Sequence, residues 1–234
     1  MVRAVFLYML LFFSFLNLSA QGNDSGSGSD ILRGEVYVDL EPIYAGFVDE
    51  EYPLDISSAS RRALEEAALF YSAMIYGWSF NYEIGEKTRQ IDENMELKPA
   101  ALIPFGDPGL FVTDTELRDS RFRVWTDYHL NDAQRRQIQV WRSGMIRNAQ
   151  GIGYAPVIYE ENPGWFAPKK TALEDAARAA LRSMLRGSER NRPKDAAGFI
   201  SLASFPRYFI DDGRWAVSAR FRVQVNSITP FAVY

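Results

Sequence analysis

Apolar residues recur at helical spacing in two alanine-rich stretches. In the first, Leu64, Ala67, Ala68, Tyr71, Met74 and Ile75 form one stripe, and Gly77 suits the stop. In the second, Leu173, Ala176, Ala177, Ala180, Leu181, Met184 and Leu185 form the stripe, with Arg178, Arg182 and Arg186 on the other side. Thr171 and Glu174 make a T-x-x-E capping box that predicts the start of this helix, and Gly187 suits the left-handed position after its end.

Alternation of period two marks two strands. Trp215, Val217, Ala219, Phe221, Val223 and Val225 alternate with Arg214, Ala216, Ser218, Arg220, Arg222 and Gln224. Asp211-Asp212-Gly213 joins this run to Tyr208–Ile210 as a hairpin. Phe122, Val124, Thr126, Tyr128 and Leu130 alternate in the same way with Arg121, Arg123, Trp125, Asp127 and His129.

The two patterns repeat in the same order. Ala63–Ala68 (ALEEAA) recurs as Ala172–Ala177 (ALEDAA), and each is preceded by an extended piece, Glu41–Tyr44 or Ala155–Tyr159. The chain therefore reads as α+β, with two related units built by duplication. Each is a strand, an Ala-rich helix and antiparallel strands, the helix packed on the sheet. The first unit spans 35–130 with an insertion at 86–119 containing Pro99, Pro104 and Pro108, and the second spans 151–234. The connector 131–150 is ambiguous: Ile138, Trp141, Met145 and Ile146 suit a helix, while Gln137–Val140 alternates like a strand.

The N-terminus changes the picture from fold to destination. Arg3, an apolar core from Ala4 to Leu16 and Asn17–Ala20 have the order of a secretory signal peptide cut after Ala20. The core is shorter than the roughly 20 apolar residues of a spanning helix; a retained inner-membrane anchor is the rival reading. Residues 21–34 begin with the Gly/Ser/Asp-rich Gln21–Asp30 and read as a flexible leader. The absence of cysteine excludes a disulfide framework and a lipidated cysteine. A net charge of -4 without a basic block disfavours nucleic acid as a partner. The periplasm is the expected compartment.

Gln150–Val157, Thr171–Leu181 and the Asp212-Gly213 hairpin together resemble a module of bacterial envelope proteins. It is similar to the N-terminal domain of flagellar assembly protein T and to related small outer-membrane lipoproteins, over residues 150–225. The resemblance implies a periplasmic, non-enzymatic assembly or scaffold role near the envelope, around flagella or the outer membrane, with other envelope proteins as partners. The lipid-bearing cysteine of the lipoprotein members is absent here.

Candidate chemistry adds little that is catalytic. His129 is the only histidine and lies on the polar side of its strand, so with no cysteine a metal site is not expected. Gly151-Ile152-Gly153 lacks the third glycine of a phosphate-binding turn and reads as a strand bend. Glu160-Glu161 and Asp211-Asp212 read as loop and turn residues. No enzyme activity and no cofactor are expected. Trp78, Trp125 and Trp165 are the candidate binding surface, the alternative role being a glycan- or peptide-binding module that uses exposed aromatics.

Overall fold

A computed structural model describes residues 30–41, 52–85, 92–159, 164–188 and 193–230. The predicted signal peptide, most of the leader, Pro42–Tyr44 and Glu160-Glu161 lie outside the described residues. Among the described residues nine strands form two antiparallel sheets and three helices pack on them, the α+β class that the sequence predicts.

In the first half, β1 (Ile31–Asp39) is followed by α1 (Ile56–Ile75), β2 (Trp78–Glu83), β3 (Asn94–Pro99), β4 (Leu110–Arg118) and β5 (Arg121–His129). Then come α2 (Asp132–Trp141), β6 (Arg147–Tyr154), α3 (Ala167–Ser188), β7 (Asp195–Leu202), β8 (Arg207–Asp211) and β9 (Arg214–Thr229). A three-stranded sheet has the order β1-β5-β4. A six-stranded sheet has the order β3-β2-β7-β9-β6, with β8 also paired to β9.

The same connectivity occurs twice. β1 leads into α1 and pairs antiparallel with β5, the last strand of its half; β6 leads into α3 and pairs antiparallel with β9. The other edge of each last strand carries a hairpin partner, β4 on β5 and β8 on β9. Both hairpins turn through two residues of positive φ, Asp119-Ser120 and Asp212-Gly213. That geometry matches the right-handed twist of the flanking strands. The strands after the helices, β2 and β7, pair with each other, Phe80 opposite Gly198 and Glu83 opposite Asp195. The two halves thus share one sheet, and the buried apolar residues of both form one cluster.

Local chemistry explains most element ends. Asp55 caps α1, its carboxylate accepting from the Ser57 and Ser58 amides at 2.8 and 3.0 Å. The Ser58 hydroxyl, which donates to the same carboxylate at 2.7 Å, together with these amide bonds holds its pKa well below the usual carboxylate value. Gly77 follows with φ 66° and its amide bonded to Ser72 O, as a helix stop requires. In the connector the helix reading holds for Ile138 and Trp141, the strand reading of Gln137–Val140 is overturned, and Met145 and Ile146 lie in the turn beyond the helix. Asn131 and Gln134 form a capping box for α2, so Gln137–Val140 is helical, and a turn separates α2 from β6.

Two features of α3 differ from expectation. The helix begins at Ala167, one turn before Thr171, whose hydroxyl donates to Ala167 O at 2.9 Å instead of capping. It also continues through Gly187 to Ser188. Gly151 and Gly153 are not a bend but the place where α3 touches β6. A Cβ on Gly151 would lie 2.1 Å from Ala176 O, and one on Gly153 only 2.0 Å from Ala176 N. Glycine on the strand and alanine on the helix let the two backbones meet. The insertion predicted at 86–119 contains β3 and β4.

Candidate functional site

α1 and α3 approach each other at their N-terminal ends through side chains. The Arg62 guanidinium lies over the Trp165 ring at 5.0 Å. One turn on, Lys169 Nζ donates to both Glu66 carboxylate oxygens at 3.0 and 2.7 Å, and both side chains are buried. Three rings surround the ammonium, Trp215 at 4.9, Tyr208 at 5.4 and Tyr37 at 5.8 Å. A cation on ring faces is favourable, and the carboxylate cancels its charge. Burial outweighs the attraction of Lys169 and raises the pKa of Glu66. Burial, reinforced by Glu66, likewise pushes Tyr208 well up. The pair ties the first half of the chain to the second.

Beyond this bridge a cleft of about 240 Å³ lies between the two helices. Small residues on α1, Ala68 and Ala73, leave the space; Leu69 walls it, and Phe166 and Leu173 face it from α3. Trp78 and Gly77 line it at the start of β2. The remaining wall is the strap 100–105, set by Pro99 and Pro104, which favour extended backbone before them. Two hydrogen bonds hold the strap down. Ala100 N–H donates to Gly77 O at 3.0 Å, and Ile103 N–H to Ser72 Oγ at 2.8 Å. Ile103 is thereby buried, while Leu102 and Phe105 stay 63% and 57% exposed. Both side chains also line the cleft, which sets them apart from singly scattered exposed apolar residues.

The polar groups of the cleft are mostly engaged. Ser72 Oγ donates to Ala68 O at 2.6 Å while accepting from Ile103, so its hydroxyl proton is committed. Glu65 pairs with Arg61 at 3.0 Å, and Arg61 also lies over Phe105. Glu174 pairs with Arg178 at 3.7 Å. Lys170, exposed at the mouth, makes no ion pair among the described residues. The lining therefore offers mainly apolar contacts.

The three candidate tryptophans do not form one platform. Trp78 is only 3% exposed, because as the first residue of β2 it points inward against the core; it contributes to the cleft and not to an exposed surface. Trp165 is half-buried beneath Arg62 and against Phe166, at the same end of α3 as the cleft. Trp125 is half-buried on β5, opposite Glu35 and Asp114, among the cross-strand ion pairs Arg33–Asp127 and Arg123–Glu35. His129 is exposed and meets the edge of Phe111. Sequence reasoning missed Glu66, Lys169 and the strap. The signal for the strap was Leu102-Ile103-Pro104-Phe105, an apolar run inside the expected insertion.

No helix among the described residues is long and apolar enough to cross a membrane. No solved structure matches the chain. An uncharacterized protein of Treponema pallidum (strain Nichols) is 23% identical over 235 residues, covering 99% of this chain and 96% of that protein. A family model matches residues 19–231, and the chain belongs to the family so defined.

Proposed function

We propose that the protein is an exported, non-enzymatic interaction protein of the bacterial cell envelope, and that the cleft between α1 and α3 is its contact site. The observation that carries this reading is the strap, which holds Leu102 and Phe105 exposed beside a preformed apolar cleft. Anchoring of one side chain in such a pocket is how protein interfaces concentrate their affinity. Export is supported by the order of charge, apolar core and small residues in Arg3–Ala20. The resemblance of 150–225 to an envelope module motivates a search for flagellar or outer-membrane partners.

The test is crosslinking in intact cells followed by purification of the chain from the envelope fraction. A stable partner is expected, lost when Leu102 and Phe105 are both replaced by serine, and the purified chain is expected to begin at Gln21. Recovery of the chain alone, or in a cytoplasmic fraction, sinks the reading.

A further inference from the structure

The size and charge of the cleft bear on what it binds, an inference that rests on reading it as the contact site. We infer that its occupant is a peptide segment of a protein partner, with a large apolar side chain in the cleft and a neighbouring carboxylate on Lys170.

Size favours a side chain over a free ligand. At about 240 Å³ the cleft is smaller than the roughly 300–1,000 Å³ of pockets that enclose a whole small molecule. It has room for one large side chain, with Leu102 and Phe105 left to cover the flanking peptide.

Charge selects the neighbour. The two carboxylates of the lining are already neutralised by Arg61 and Arg178. Lys170 is one turn from Glu174 yet makes no ion pair with it, because Glu174 turns towards Arg178. Lys170 also stands in the first turn of α3, where the helix dipole disfavours a cation. The charge of Lys170 therefore has no ion-pair partner among the described residues, and an incoming anion at the mouth would compensate it.

The experiment uses the full chain and two dyes with the same apolar rings. 8-Anilinonaphthalene-1-sulfonate carries an anion, and N-phenyl-1-naphthylamine does not. Each is expected to seat its phenyl ring in the cleft and lay the naphthalene along Leu102 and Phe105, the anionic dye a few-fold tighter, as an exposed charge pair provides. Lys170→Glu should abolish that advantage and leave the neutral dye unchanged. Ala73→Leu, which fills the cleft, should remove both dyes, with the unfolding midpoint checked to show that the variant is folded. A random heptapeptide library selected on the full chain should then enrich large apolar residues beside Asp or Glu, and the selected peptides should displace the dye. Equal binding of the two dyes overturns the inference, as does enrichment of Lys or Arg beside the apolar residue. Displacement by decanoate but not by the selected peptides overturns it as well. The crosslinked partner separates this inference from the reading beneath it. Loss of the partner with Ala73→Leu but not with Lys170→Glu leaves the contact site standing and removes the acidic neighbour. No change with either variant removes the contact site itself.

Discussion

Glu66 and Lys169 show how a single pair can hold distant parts of a chain. Each alone would be a buried, uncompensated charge; together, with three rings about the ammonium, they are tolerated. Removing one partner should therefore cost far more than the pair contributes. Lys169→Met is expected to lower unfolding stability by about 3–5 kcal/mol, and Glu66→Leu with Lys169→Met to recover much of the loss. Urea unfolding of the three proteins measures this. The pH dependence has a definite sign. The folded-state pKa of Glu66 is raised above its ordinary 4.5, so the folded protein holds that proton more tightly than the unfolded chain. This contribution is fully present below about pH 4.5 and is lost as pH rises through the raised value. The stability of the wild type minus that of Glu66→Gln should fall across that window, and a difference that rises there would refute the account.

Elements were legible where one face is buried and the other is wet. β5, and β9 from Val217 to Val223, show clean alternation because each lies on the core with its other face outward. The Asp212-Gly213 turn is legible from its residues alone. β4 is not, since all but one of its residues are exposed and no periodicity separates its two faces. Nor is the start of α3, because Thr171 satisfies both the capping pattern and the quite different bond to Ala167 O. The cleft was half legible. Trp78 and Trp165 pointed to its neighbourhood, but its walls are alanine, leucine and isoleucine from three segments that only the tertiary fold brings together. The glycines of β6 permit a direct test at this scale. Gly153→Ala would place a methyl 2.0 Å from a backbone nitrogen of α3, which cannot move without lifting the helix from the sheet. A loss of about 3 kcal/mol or more is expected, at the upper end of overpacking costs. Gly144→Ala, in open space, should change stability by less than about 0.5 kcal/mol. Equal effects of the two substitutions in thermal unfolding would show that α3 does not depend on this contact.

At the scale of the whole molecule, the repeated connectivity is also what binds the halves together. β2 and β7 occupy equivalent places after their helices, and each supplies the other with a hydrogen-bonded neighbour. In the first half, β2 and β3 would be a two-stranded ribbon without β7, and such ribbons are marginal in water. The second half would expose the edge of β7 that β2 covers. The Glu66–Lys169 pair and the ring contacts of Phe70 and Tyr71 with Phe205 and Tyr208 cross the same boundary. A chain organised in this way should unfold in one cooperative step, although its sequence divides readily in two. Fragments 21–142 and 143–234, cut in the turn between α2 and β6, are expected to be poorly folded apart and to regain the native circular dichroism when mixed or co-expressed. The cleft gives a sharper readout, because its walls come from both fragments: Ala68, Leu69 and Leu102 from one, Phe166 and Leu173 from the other. Binding of N-phenyl-1-naphthylamine should therefore be absent from each fragment and restored in the complex. Native-like unfolding of either fragment alone would show that the shared sheet is an addition to two independent units and not the basis of their stability.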